Sequence, residues 1–392
     1  MSSVRSVGAL RRAALAVVCA ASFATAAIAG PNPQPQQQQP QSQQQPARDA
    51  QGHRIPKVQI AILLDNSGSM EGLINQARTE IWKVVNEFAT AKQHGVAPRL
   101  EIALYEYGDG VKRLQPFTTE LDRVSEKLFG LTIHGGDEYC GQVIQAATNE
   151  LEWSGDPDDL KLIYIAGNEP FTQGPVKPGM AIEAAKRKGI TVNPIVCGGD
   201  DPTWRAGATV AGGDYLVIDH NSVVATVAAP QDAEITRLGQ ELNKTYLGYG
   251  TQGAASAVRQ REEDKKAAAA APAAIVTRSV SKSAKQYDNS GWDLVDGLSS
   301  GTAKLSGQGA VANDDLPAEM RGMNEQQKRD YVEQKGKERA QIQQKIQTLS
   351  AERTKFLAED AKKNAGKAEA TLDKAMTGSA RKAAEAKSFT FE

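Results

Sequence analysis

The chain has 392 residues, a formal net charge of −1, 40% hydrophobic residues and 5% aromatic residues. This length allows two or three domains. The near-neutral charge gives no strong global field, so it does not indicate nucleic acid or an acidic membrane as the partner. Any partner must therefore be recognised by a local site.

The N-terminal residues have the three parts of an export signal. Several arginines precede an Ala/Val/Leu-rich stretch at residues 13–26, and an Ala-Ile-Ala sequence follows at 27–29. The apolar stretch is shorter than the ~18 residues that a membrane-spanning helix needs. We expect a signal peptide at residues 1–29, cleavage after Ala29, export to the periplasm or the extracellular space, and no transmembrane segment.

The next two regions differ sharply in composition. Residues 30–55 are predicted to form an extended, disordered linker, because the Pro/Gln-rich tract at 30–50 has no large apolar residues to bury. Residues 56–250 alternate between apolar strand patterns and amphipathic helix patterns. Strands separated by helices of this length predict an α/β domain with a doubly wound, mostly parallel sheet.

The C-terminal third is predicted to be a linker followed by helix. Residues 251–286 are Ala-rich and low in complexity, which predicts a linker. Residues 287–322 are predicted to form a short helical or irregular segment, and residues 323–388 a long helix. Apolar residues recur in this helix with heptad spacing, but basic residues interrupt the repeat at Lys335, Arg339 and Arg353. These interruptions favour a helix that folds back on the core over a weak coiled coil that forms a homodimer.

Three oxygen-bearing side chains follow the first predicted strand. The strand KVQIAILLD is continuously apolar and ends in Asp65, and Ser67 and Ser69 come at alternate positions in the sequence DNSGSM. Alternate side chains of a chain that curves away from a strand converge above the edge of the sheet. One carboxylate and two hydroxyls are hard donors that suit Mg²⁺ or Ca²⁺. The sequence therefore predicts a divalent-cation site at this edge.

This region resembles a von Willebrand factor A domain with its metal-ion-dependent adhesion site. The sequences GGDEYCG and IYIAGNEP occur where the family places its second and third metal loops. The resemblance implies a protein-binding function in which the partner completes the coordination of the cation. Two departures stand out. Asp137 and Glu138 occupy the place of the usual threonine, and Gly167 occupies that of the usual aspartate.

The departures leave two interpretations of the cation site. In the first, Asp137 or Glu138 replaces the threonine, so that Asp65, Ser67, Ser69 and Asp137 hold one cation, with Glu169 as further support. In the second, the motif is vestigial and only builds the turn, because its hydroxyls cap a helix and its carboxylate accepts backbone N–H groups. Convergent carboxylates without a cation would repel each other, which favours the first interpretation.

Two cysteines remain once the predicted signal peptide is removed. Cys140 and Cys197 form an even pair in an oxidising compartment and are placed near the same edge of the predicted sheet, so we expect a disulfide between them. His134 lies near Cys140, which raises the alternative of a thiol nucleophile. No Ser/His/Asp order and no zinc spacing occurs in the sequence, so catalysis is disfavoured.

Together these patterns predict an exported, non-enzymatic protein that binds another protein, with a divalent cation in its site. The alternative is a metal-free envelope scaffold that assembles by shape alone. A thiol hydrolase is the third hypothesis.

Overall fold

The computed structural model describes residues 47–48, 52–108, 110–219, 227–363 and 371–391. The predicted signal peptide and most of the predicted Pro/Gln-rich linker lie outside these residues, so both stay predictions. No helix within the described ranges is long and apolar enough to cross a bilayer.

A six-stranded sheet forms the centre of the α/β region. The strands in chain order are β1 (Lys57–Asp65), β2 (Ala91–Gln93), β3 (Arg99–Tyr107), β4 (Val111–Thr118), β5 (Leu160–Gly167), β6 (Thr191–Cys197), β7 (Leu216–Ile218) and β8 (Phe389–Phe391). The order in the sheet is β4-β3-β1-β5-β6-β7, and every neighbouring pair is parallel except β3 and β4. Strands β2 and β8 pair antiparallel in a separate ribbon. The doubly wound, mostly parallel sheet predicted from the sequence is thus confirmed.

Helices cover both faces of the sheet and continue beyond it. They are α1 (Glu71–Glu87), α2 (Leu121–Phe129), α3 (Cys140–Glu150), α4 (Pro178–Arg187), α5 (Pro202–Ala211), α6 (Asp232–Asn243), α7 (Gly250–Ala270), α8 (Pro272–Lys282), α9 (Leu294–Ser300), α10 (Glu325–Lys363) and α11 (Leu372–Glu385). Helices α1, α2 and α11 pack on one face, and α3, α4 and α5 pack on the other. Because both faces are covered, β1 is almost wholly buried, which explains its uninterrupted apolar sequence.

Residues 251–286 are helical, not the predicted linker. They form most of α7 and the whole of α8, and these helices pack against α1, α2 and α6. Much of what α7 buries is polar, including Gln260, Glu263 and Asp264. Asp264 pairs with Arg278 and Lys282, both fully buried on α8. A helix that buries polar groups against partners distant in sequence has no amphipathic pattern to recognise.

The heptad seam of α10 packs within the same chain. Ile346 is fully buried among apolar residues of α6 and α8, and the adjacent seam residues Ile342 and Leu349 join the same cluster. Arg339, one of the basic interruptions, is buried and pairs with Asp293 and Asp296 near α9. The seam of α10 therefore packs against other helices of the same chain, as in the folded-back arrangement that the sequence favoured over a coiled coil.

The last described segment completes the main core. The predicted helix over residues 323–388 is interrupted, since the backbone of Thr371 is extended directly before α11 begins at Leu372. Leu372, Met376 and Phe389 are buried in the same cluster as β1 and α1. The Tyr164 hydroxyl of β5 donates to the backbone oxygen of Met376 over 3.2 Å. Residues 371–391 thus cover one face of the sheet.

Candidate metal centre

The candidate site lies at the carboxyl edge of the sheet, where the strand order reverses between β1 and β5. Leu64 of β1 pairs with Ala166 of β5, so Asp65 and Gly167 leave the sheet side by side. In doubly wound sheets the crevice at this reversal is the usual place for a ligand. The topology therefore brings the loops after β1 and β5 to one point.

The loop after β1 presents one carboxylate and two hydroxyls. The Asp65 side chain is fully buried, and its Oδ1 accepts a hydrogen bond from the Ser67 backbone N–H over 2.7 Å. The Oδ2 atom of Asp65 has no hydrogen-bond donor among the described residues. The Ser67 and Ser69 hydroxyl oxygens lie 3.3 Å apart, and a short 3-10 turn at Gly68–Met70 leads into α1. These three side chains converge as the sequence predicts.

The second loop supplies Glu138 rather than Asp137. Glu138 is buried, and its carboxyl group is within hydrogen-bonding reach of the Asp65 carboxyl. Asp137 is exposed and accepts a hydrogen bond from the Tyr139 hydroxyl over 2.7 Å. The expectation that Asp137 meets the two serines is therefore corrected in favour of its neighbour. A backbone hydrogen bond of 2.8 Å from His134 N–H to the Asn66 oxygen fixes this loop against the first.

The Glu138 carboxyl group strongly affects the titration of the Asp65 carboxyl group. Burial and the adjacent Glu138 carboxyl raise the pKa of Asp65 to about 8. A carboxyl pair in this state holds a proton between its two groups unless a cation replaces it. The pair is thus a place where positive charge is favoured.

The third loop contributes the side-chain amide of Asn168, one residue after Gly167, which occupies the place of the family's usual aspartate. Asn168 donates from Nδ2 to the Ser69 hydroxyl oxygen over 3.0 Å. The Tyr107 hydroxyl donates to the Ala166 backbone oxygen over 2.9 Å, and a Cβ atom at Gly167 would lie only 2.5 Å from that hydroxyl. Tyr107 therefore fills the space that a side chain at Gly167 would need.

Glu169 does not join the cluster. Its side chain is exposed and accepts a hydrogen bond from Gln173 over 3.3 Å, and its backbone oxygen accepts one from Trp204. These contacts hold Glu169 outside the cluster, so they do not give it the predicted role of further support for the cation.

The predicted disulfide is absent, because Cys140 and Cys197 are both free, buried thiols. Cys197 packs on the face of the sheet that α1 covers, whereas Cys140 packs on the face that α3 covers. The sheet lies between them. Burial raises the pKa of both thiols, so neither is a ready nucleophile.

The residues present fit a hard divalent cation. Asp65 offers an unused buried oxygen, Glu138 a second carboxylate, and Ser67 and Ser69 two hydroxyls. The described residues contain no group of three or more His, Cys, Asp or Glu side chains placed to hold a metal. The donors named above are all oxygen atoms, from two carboxyl groups and two hydroxyls, a set that suits Mg²⁺ or Ca²⁺ better than a thiolate-seeking ion.

Two contributors were missed in the sequence. Tyr107 ends β3 beside the site, and Asn168 follows β5. Both lie at the carboxyl end of a predicted parallel strand, and this position alone would have marked them as candidate site residues.

Residues 60–165 match the family described as the von Willebrand factor type A domain, a span well under half of the chain. Over residues 60–165 the chain is thus similar to a von Willebrand factor type A (VWA) domain. Members of this family are generally of the protein-interaction, metal-dependent adhesion type. No curated protein matches the chain.

Several solved structures are similar to part of the chain. BatB from Bacteroides thetaiotaomicron is 18% identical with a TM-score of 0.35, over 42% of this chain and 91% of that one. The VWA protein from Catenulispora acidiphila is 17% identical with a TM-score of 0.34, over 42% of this chain and 39% of that one. Proximal thread matrix protein 1 from the mussel byssus, with a zinc-occupied MIDAS motif, is 13% identical with a TM-score of 0.36, over 43% of each chain. The chain thus covers less than two thirds of the latter two proteins, and similarity at this level carries no functional conclusion.

Proposed function

We propose that this protein is an exported, non-enzymatic binding protein whose VWA domain holds a divalent cation and recognises a protein partner at the carboxyl edge of its sheet. Export rests on the basic, apolar and Ala-x-Ala parts of residues 1–29. N-terminal sequencing of the mature protein tests this part, since a chain that still begins at Met1 in its final compartment would contradict export.

One observation carries the cation site. The Asp65 carboxyl is fully buried, has one oxygen without a donor, and faces a second buried carboxyl from Glu138. Two carboxylates held together out of water repel each other unless a positive charge lies between them. The Ser67 and Ser69 hydroxyls stand on the same loop and add neutral oxygen donors.

Each residue has a distinct part in this proposal. Asp65 and Glu138 would supply the charge that retains the cation, and Ser67 and Ser69 would complete its oxygen shell from the protein side. Asn168 would orient the Ser69 hydroxyl, because it donates to that oxygen. The cation itself would offer a coordination position to an oxygen of the partner. Ser69 is exposed, so this side of the cluster is accessible to another molecule.

A metal-free scaffold is the second candidate, and the same carboxyl pair supports it. Because the pKa of Asp65 is about 8, one proton can satisfy the pair at neutral pH. The Ser67 N–H bond to Asp65 then serves only to shape the turn into α1. In this case the domain would bind or assemble through shape alone.

The adjacent residues Asp137 and Glu138 provide a matched test. We expect Mg²⁺ or Ca²⁺ to bind the wild-type protein in calorimetry and to raise its melting temperature. Glu138→Gln should abolish both effects, and Asp137→Asn, which removes the same charge one residue away, should preserve them. With the free ion at 100 times its Kd, binding raises the free energy of unfolding by about 2.7 kcal/mol.

The two candidates give opposite results in this test. If the scaffold is correct, neither ion changes the melting temperature of the wild type. Glu138→Gln then leaves the protein equally stable or more stable, because its amide can donate to Asp65 without a shared proton. Asp65→Asn provides a second variant, since it too should abolish the effect of the ion.

A further inference from the structure

The loops around the candidate metal centre are strongly acidic. The three loops at residues 65–71, 131–139 and 168–177 contain five carboxylates and one lysine, a formal charge of −4, so a bound divalent cation still leaves −2. A site in this state repels an acidic side chain.

Neighbouring loops do not compensate for this charge. Lys112, after β3, pairs with Glu106 over 2.9 Å, and Arg205 on α5 pairs with Asp200. The lysine of the third loop, Lys177, stands at its far end, where α4 begins. Arg78 of α1 donates to the Leu131 backbone oxygen of the second loop and interacts with Glu71. Its single positive charge is smaller than the formal charge of −4 on the three loops, so the edge of the sheet remains net negative.

Two of the carboxylates face solvent beside the centre. Asp137 directly precedes Glu138, which contacts Asp65, and Glu169 directly follows Asn168, which contacts Ser69. Both are exposed, and within the described part of the chain neither forms an ion pair. The buried Asp65 Oδ2 atom, which has no hydrogen-bond donor among the described residues, belongs to the same carboxyl group that Glu138 contacts.

From this arrangement, and on the basis of the proposed function, we infer that the partner presents a basic segment whose Lys or Arg side chains pair with Asp137 and Glu169. A neutral oxygen of that segment, a backbone carbonyl or a hydroxyl, takes the open position on the cation. The carboxylates of Asp65 and Glu138 already balance the charge of the cation, so an incoming carboxylate gains little there and is repelled at the rim.

Two synthetic peptides test the inference on the full chain in Mg²⁺. Both have twelve residues with a Gly/Ser background, one with four lysines and the other with four glutamates. We expect the lysine peptide to bind and to weaken as salt rises, and the glutamate peptide not to bind. The variant Asp137→Asn/Glu169→Gln should lose roughly tenfold in affinity for the lysine peptide.

A charge-matched control separates this site from general acidity. Glu352→Gln/Glu359→Gln removes the same charge from exposed positions of α10 and should bind the lysine peptide like the wild type. Preference for the glutamate peptide, binding of neither peptide at millimolar concentration, or an equal loss in both variants would overturn the inference. Titration of the wild-type protein with Mg²⁺ separates failure of the proposed function from failure of the inference. Absence of any cation effect defeats the proposed function, whereas a normal cation effect with a preference for glutamate defeats only the inference.

Discussion

Gly167 stands where the VWA pattern leads one to expect an aspartate, and its surroundings predict what any side chain there would cost. A Cβ atom at this position would lie 2.5 Å from the Tyr107 hydroxyl and 3.3 Å from Asp65 Oδ2. The first distance is short of van der Waals contact by roughly 1 Å. Tyr107 is almost fully buried and its hydroxyl is bonded to Ala166, so it has little room to move.

We therefore expect Gly167→Ala to destabilise the protein by about 1–3 kcal/mol, the usual cost of overpacking a core. Without the clash, Gly167→Ala would be expected to stabilise the protein instead. Gly167 does not require a positive φ, and at such a position Gly→Ala stabilises by about 0.4–1 kcal/mol. Gly378→Ala serves as the control, because nothing lies within 4 Å of its added Cβ and it sits inside α11.

The assay is urea denaturation in the presence of chelator, with Tyr107→Phe as the second arm of a double-mutant cycle. Tyr107→Phe alone should cost about 1–2 kcal/mol through the lost hydrogen bond. In that background Gly167→Ala should cost at least about 1 kcal/mol less than in the wild type, because the clashing oxygen is gone. A stabilising Gly167→Ala, or an unchanged cost in the Tyr107→Phe protein, would refute the reasoning.

Three further predictions concern the helical region. Arg278→Met should cost about 3–5 kcal/mol in urea denaturation, because it removes the cation that pairs with the buried Asp122 and leaves Asp264 with Lys282 as its remaining ion-pair partner. Burial alone would raise the pKa of Asp264, but Lys282 and Arg278 outweigh it and lower the pKa to about 2. The stabilisation from this group, about 2 kcal/mol, is therefore present above pH 4 and lost as the pH falls towards 2. In Asp264→Asn, the free energy of unfolding measured by urea denaturation should therefore fall less steeply between pH 4 and pH 2. Deletion of residues 364–392 removes three large core side chains worth about 1.5–3 kcal/mol each, so circular dichroism should show no cooperative melt.

The sheet and the first loop of the site could be predicted because their signals are local. The continuously apolar strand that ends in Asp65 predicts a buried central position, and the sequence after it predicts an amphipathic helix that packs on the sheet. The convergence of Ser67 and Ser69 follows from the geometry of the chain between them. The choice between Asp137 and Glu138 was not local. It depends on how the second loop is held, by the His134 N–H bond to Asn66, against a loop almost 70 residues earlier in the chain.

The helices α7 and α8 were missed for a related reason. Periodicity methods detect apolar stripes, whereas α7 buries Glu263 and Asp264. These groups become acceptable inside the protein only because Ser125, Lys266, Arg278 and Lys282 satisfy them. The Glu263–Lys266 pair lies within α7, but Ser125 belongs to α2 and Arg278 and Lys282 belong to α8. Pairing between separate elements leaves no pattern within one segment.

The same helical region bears on the site, through α1. This helix begins at Glu71, directly after the turn that carries Ser69, so the loop after β1 cannot shift without it. From α8, the Thr277 backbone oxygen accepts a bond of 3.1 Å from Asn86, and Arg278 stacks on the ring of Trp82. From the start of α11, the Leu372 N–H donates to Gln76 over 3.0 Å. Helix α1 is thus held between the sheet and two helices from the C-terminal third, and a partner would meet oxygen donors that are already in place, with little ordering cost.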